Sequence, residues 1–272
     1  MSLLFDSTIK VSLVLLVAIG AVEALGRRSA AVRHWALAVA VGCAAVVPLL
    51  GLLVPTWDVP VAVFTPASEE ATSIVTATAV VFGEGAEPGR APEAPRATTM
   101  TRPTGFAWPV WLPLVWSAGV AVSLFTLIVG LTRLAWLAAS AEKVDRGRLV
   151  EIADEIRRAF GLRRDVRLLV SSVPGTLGTW GVIRPKVLLP AIARTWSDDR
   201  VRIVLRHELV HVRRGDWMMQ LTADVLRSLY WFNPLNWHVS ARLRRESEHA
   251  CDDAVLNAGV EESEYASHTC SI

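Results

Sequence analysis

Charge is scarce in this sequence of 272 residues: Asp, Glu, Lys and Arg together make up 20%, against 52% apolar residues. The mean hydropathy is positive. An ordinary soluble domain carries more charge than this, so part of the chain is expected to lie in lipid. A basic face is lacking too. The formal net charge is +2 and the Arg residues are spread out, so direct nucleic-acid binding is not expected. Cysteine is rare: Cys43, Cys251 and Cys270 are scattered and form no CxxC pair, which argues against a disulfide framework and fits a reducing compartment. No small-residue cleavage site precedes the second hydrophobic run, and Lys10 lies late for the basic start of a signal peptide, so the first apolar segment reads as a span.

What is present begins with that segment, from about residue 9 to 25, followed by the basic turn Arg27, Arg28 and Arg33. Residues 35–54 pass without a charge, about the length a helix needs to cross a ~30 Å hydrocarbon layer at ~1.5 Å per residue. Residues 56–106 are rich in Pro, Ala, Thr, Gly and Glu and read as a loose connector. A third span is predicted over 107–132, opening on Trp108, Trp111 and Trp116 as interfacial anchors. Arg133, Lys143, Arg146 and Arg148 follow it. By the positive-inside rule both basic segments face the cytoplasm, and the acidic connector lies outside. The expected division is a membrane domain, 1–138, and a cytoplasmic domain, 139–272.

In the second part, Leu149, Ile152, Ile156 and Phe160 recur at helical spacing and Gly161 ends the run. Residues 166–172 alternate like a strand. Residues 178–190 hold one or two more, interrupted by Gly181 and Arg184-Pro185, which would form a sheet edge beside a cleft. A helix is then predicted between Ser197, a candidate N-cap, and Arg214, with Asp198 and Asp199 favouring the positive end of its dipole.

That helix carries His207-Glu208-Leu209-Val210-His211. Histidines at i and i+4 share a helix face, so both imidazoles can reach one Zn²⁺. Glu208, rotated by about 100°, lies beside the open position and can take a proton from water. A surface helix carrying these residues by chance is the competing reading, but the chain has only six histidines.

Catalytic zinc normally keeps three protein ligands, so a third must come from elsewhere. On a helix predicted over 242–256, Glu248 and Asp252 stand at i and i+4. Glu248 can bind the metal while Asp252 accepts a hydrogen bond from a ligand imidazole. Glu246 is the rival third ligand. His238, His249 and Cys251 read as surface or packing residues. Residues 217–237 form a poor span because of Asp224 and Arg227, and Pro234 breaks that segment and swings the chain back. Arg214 and Asp216 read as fixing the end of the zinc helix, with a role toward substrate left open.

The stretches RHELVHVRRGDW, WFNPLNW and RRESEHACDDAVL, with the hairpin-like GTWGVIRPKVLLP before them and three spans upstream, resemble the BlaR/MecR-type family of bacterial integral-membrane zinc metallopeptidases. The resemblance implies a gluzincin-like site in which His207, His211 and Glu248 match the zinc ligands and Glu208 the catalytic glutamate. It also implies a cytoplasmic peptidase domain on a multi-pass protein of the bacterial inner membrane. In the sensor members of that family a penicillin-binding domain follows a fourth span, and signalling ends in proteolysis of a transcriptional repressor. No fourth span and no sensor domain are read in this sequence, which leaves β-lactam sensing unsupported and leads us to expect a truncated C-terminus.

The expected fold is therefore mainly α: three transmembrane helices, then an α+β zincin-like domain with a small sheet. The expected function is zinc-dependent endopeptidase activity on a cytoplasmic protein or peptide, such as a repressor, by an enzyme embedded in the bilayer, with a homodimer left open. Two other readings stand beside it. One is a signalling scaffold with a structural zinc site and no turnover, although such a site has no need of Glu208. The other is a transporter, although the spans lack paired intramembrane charges.

Overall fold

The structure is a computed structural model that describes residues 2–53, 109 and 111–257. The predicted connector 56–106 and the C-terminal residues 258–272 lie outside the described residues.

Among the described residues, three helices are long and apolar enough to cross a membrane: α1 (Ser2–Ala24), α2 (Ala30–Leu53) and α3 (Trp111–Ser140). Each differs in its ends from the expected span. α1 begins at Ser2 because Asp6 and Lys10 neutralise each other as an i, i+4 pair at 2.6 Å on an exposed face, so these charges do not end the helix. α3 runs past Arg133 to Ser140. None of its residues is buried, and Leu114, Val122, Phe125 and Trp136 point outward, as suits a helix with much of its surface in hydrocarbon.

α1 and α2 do more than present apolar surface. Val11, Leu15 and Val22 of α1 and Leu37, Val41 and Ala44 of α2 share one buried cluster with side chains from α6 (Asp216–Leu229) and α7 (Pro234–Leu256). Polar bonds pin the same contact: Ser7 Oγ lies 2.9 Å from the Tyr230 hydroxyl, and Asn233 Nδ2 donates to Ser12 Oγ at 2.9 Å. The first two apolar helices and the helices after the HExxH motif are thus one packed body.

Four strands form a mixed sheet in the order β1-β2-β4-β3: β1 (Glu142–Val144), β2 (Arg167–Ser171), β3 (Gly178–Trp180) and β4 (Lys186–Pro190). β2 and β4 are parallel, with Leu168 opposite Val187, and β3 returns antiparallel along β4 as the edge. Alternation divides the side chains. Leu168, Val170, Val187 and Leu189 face a core with α4 (Arg148–Ala159) and α5 (Asp198–Arg214). Leu169, Leu188 and Trp180 face the other way, onto Leu134 and Ala138 near the end of α3.

One close approach ties α3 to the break between α6 and α7. Gly119 packs against the Trp231 indole, so a Cβ at Gly119 would clash with the ring. Trp231 Nε1 donates to the Trp116 carbonyl at 3.3 Å, and Trp116 Nε1 donates to the Leu229 carbonyl at 3.1 Å. Gly119→Ala is expected to push the indole aside and lower stability by roughly 1–3 kcal/mol. Thermal unfolding in detergent checks this, and an unchanged midpoint would count against the contact.

Candidate metal centre

The helix that carries the HExxH motif is fixed at both ends. Ser197 Oγ accepts from the Arg200 backbone N–H at 3.3 Å, with Asp198 and Asp199 in the first turn. At the other end Gly215 takes a left-handed conformation, φ 73°, and its N–H bonds to the His211 and Val212 carbonyls. A side chain is strained at that φ, so glycine permits the immediate turn into α6. Val201, Val204, Leu205 and Leu209 hold α5 against the sheet.

On its other side His207, Glu208 and His211 line a cleft of about 470 Å³ with Gly178 and Thr179 of the edge strand. Pro234, whose ring fits the first turn of a helix, opens α7, and the Asn233 side chain caps it by accepting from the Leu235 N–H. α7 starts at Pro234, well before the expected Arg242, and brings Glu248 to the two histidines.

The Nε2 atoms of His207 and His211 are 3.3 Å apart, and Glu248 Oε2 lies 3.5 Å from the first and 3.8 Å from the second. Ligands of a tetrahedral zinc with bonds of ~2.0–2.1 Å are separated by about 3.3 Å, so these three atoms fit one ion with little adjustment.

Both rings are oriented alike, Nε2 inward and Nδ1 backed by a carboxylate. Asp252 Oδ1 lies 3.4 Å from His207 Nδ1, and Asp216 Oδ2 lies 2.8 Å from His211 Nδ1. A carboxylate behind the imidazole fixes its tautomer and raises its basicity. Burial by itself would lower the His207 pKa, but hydrogen bonds with Asp252 and Glu248 outweigh it and raise the value to about 9. Burial would likewise raise the Asp216 carboxyl, but hydrogen bonds from His211 and Ser247 and the Arg214 charge hold it below the usual carboxylate range. The Ser247 hydroxyl donates to Asp216 Oδ2 at 2.6 Å.

Glu208 is buried, and the Thr179 hydroxyl donates to its Oε2 at 2.5 Å. Asp216, Ser247 and Thr179 are the polar supports that spacing alone did not single out for the site. For Asp216 a signal existed, because a glycine before an acidic residue just past the second histidine permits the fold-back. For Thr179 there was none, since its contact joins a strand to a helix distant in sequence.

Of the rival residues, Glu246, His238 and His249 stand apart from this cluster, and Cys251 lies behind His211. Glu246 is buried and bonded to Arg33 Nε at 2.8 Å and Arg242 Nε at 2.9 Å, which tie α2 to α7. His238 and His249 are exposed. Cys251 is buried with Sγ 3.4 Å from His211 Nδ1, and burial pushes its thiol pKa well up, so it sits there as a neutral thiol. His211, Asp216 and Cys251 also group closely enough to suggest a metal, but His211 Nδ1 is already engaged by Asp216.

A family model described as BlaR1 peptidase M56 matches residues 2–269. The chain is similar to the regulatory protein BlaR1 of Bacillus licheniformis, 32% identical over 142 residues, which cover 52% of this chain and 24% of that protein. It is also similar to the methicillin resistance mecR1 protein of Staphylococcus aureus, 21% identical over 145 residues, 53% of this chain and 24% of the relative. The matched stretch therefore spans about a quarter of the length of these relatives.

Proposed function

Because the chain belongs to the BlaR1 peptidase M56 family, a family of metallopeptidases, we propose that it is a membrane-embedded zinc endopeptidase. His207, His211 and Glu248 hold the ion, and Glu208 is the general base. The substrate is a cytoplasmic protein or peptide, with a transcriptional repressor as the class that membership of this family favours. The observation that carries this reading is the mutual spacing of the two Nε2 atoms and Glu248 Oε2, 3.3–3.8 Å, at the wall of a cleft.

Zinc held there would polarise the scissile carbonyl and make a water more acidic. The protein groups do the rest. Glu208 takes a proton from the attacking water and returns it to the leaving amine, while Thr179 keeps one carboxylate oxygen in place. Asp252 and Asp216 hold the two imidazoles in the tautomer that leaves Nε2 open to the ion. The cleft opens to a cytoplasmic substrate in the topology expected from Arg27, Arg28, Arg133, Lys143 and Arg146, with three spans in the bilayer.

The test is metal removal. The protein purified in detergent is expected to carry about one zinc per chain and to cut a peptide library. A chelator should abolish cleavage, and added zinc should restore it. Stripped protein that cleaves as well as untreated protein would overturn the reading.

A further inference from the structure

The cleft contains one side chain from a candidate membrane span. His34, on the first turns of α2, is 1% exposed and lines the same cavity as His207 and His211. Its Nε2 lies 3.5 Å from Asp216 Oδ1, while the other oxygen of Asp216 holds His211 Nδ1 at 2.8 Å. A single carboxylate thus stands between an imidazole of the membrane helix and an imidazole of the metal cluster. Arg214 Nε also faces Asp216 Oδ1 at 3.5 Å.

The neighbouring residue works in the same direction. Arg33 bonds Glu246 on α7, two residues before Glu248. Two consecutive residues of α2 therefore touch both helices that flank the cluster: His34 reaches α6 through Asp216, and Arg33 reaches α7 through Glu246. The approach of His34 to Asp216 is a close polar contact and not a hydrogen bond: His34 Nδ1 and Asp216 Oδ1 are both buried without a hydrogen-bond partner. A polar imidazole buried in this way is costly to keep, and lipid contact or simple packing would be served by an apolar residue. Leu37 and Val41, which follow on the same helix, are such residues.

We propose that His34 is a positioning residue of the metal centre: it fixes Asp216, and through Asp216 the His211 imidazole, so that the placement of membrane helix α2 sets the geometry of the site. This rests on the zinc reading above. A displacement of α2 would loosen Asp216 and tilt the His211 ring, which couples an event in the bilayer to the cleft without any contact between α2 and substrate.

The test uses the full chain in detergent. His34→Phe keeps the ring's bulk but removes the polar contact, and His34→Gln keeps a group able to reach Asp216. His34→Phe is expected to weaken zinc binding by up to about tenfold, the low end of the range for loss of a ligand's outer partner, because it acts on His211 through Asp216. It should also shift the visible absorption bands of the Co²⁺-loaded protein. His34→Gln should restore most of the affinity. Asp216→Asn alone should match the double variant His34→Phe/Asp216→Asn, because both act through one carboxylate. Wild-type affinity and spectrum in His34→Phe would overturn the proposal, as would losses that add in the double variant. If His34→Phe fails to fold, His34→Asn, too short to reach Asp216, takes its place with the same two outcomes. A wild-type chain that binds no zinc would overturn the metal reading as well. Zinc uptake with unaltered His34 variants would overturn only this one.

Discussion

Glu208→Gln is expected to lower peptide cleavage by roughly 10²–10⁴-fold while zinc content and thermal stability stay at wild-type values. The substitution keeps the size of the side chain and an oxygen able to accept from Thr179 Oγ1, which lies at 2.5 Å from Glu208 Oε2. What it removes is the basicity that takes a proton from water. The side chain is buried beside the cleft and is absent from the His207, His211 and Glu248 grouping, so the ion has no reason to leave. Zinc content by atomic absorption and cleavage rates on the same preparation decide it. Equal cleavage in both proteins would end the role of Glu208 as base. A parallel loss of zinc would instead make it a ligand. A signalling scaffold with structural zinc would show no cleavage in either protein.

Much of the fold was legible because its signals are local. The uncharged run 35–54 announced α2. The Ser197 cap and the Asp pair announced α5, alternation over 166–172 announced β2, and the segment 178–190, broken at Gly181 and Arg184-Pro185, announced β3 and β4. The i, i+4 spacing of His207 and His211 puts two imidazoles on one face whatever surrounds them, and Pro234 signals the turn that brings Glu248 back. The packing of α1 and α2 against α6 and α7 was not legible. An apolar side chain reads the same whether it will meet lipid or protein. In α1, Val11 and Leu15 are fully buried while Leu13, Leu16 and Val17 are exposed, and nothing in their chemistry separates them. Likewise Asp216 looked like a helix-end residue because its partners, His211, Ser247 and His34, come from three different helices. Gly215 marked the fold-back that brings Asp216 to His211, but nothing in one dimension marked its meeting with Ser247 and His34. Even the membrane helices' ends were masked by pairing: Asp6 and Lys10 would each end a span alone, and together they do not.

The two glutamates Glu246 and Glu248 give a prediction that separates fold from metal. They lie two residues apart on α7, so their side chains leave the helix on nearly opposite sides. Glu248→Ala is expected to weaken zinc binding by more than the roughly 10–100-fold that loss of an outer partner costs, because it removes one of the three proposed ligands. The fold should survive, since the Glu248 side chain is 55% exposed. Glu246→Ala should do the reverse. It leaves Arg33 and Arg242 without their shared carboxylate at the contact of α2 with α7, at a cost of about 1–3 kcal/mol, because both guanidiniums keep some access to solvent. Burial would raise the Glu246 carboxyl, but the two arginines hold it below the usual carboxylate range, so it is an anion in that contact at neutral pH. Zinc affinity and thermal midpoint measured on both variants should therefore cross over. If Glu246→Ala lost the zinc and Glu248→Ala kept it, the third ligand would be Glu246. The ion would then have to sit among two arginines, an arrangement that the positive charge of those side chains opposes. That electrostatic conflict, together with the 2.8 and 2.9 Å bonds that already occupy both oxygens of Glu246, is why the metal is assigned to Glu248.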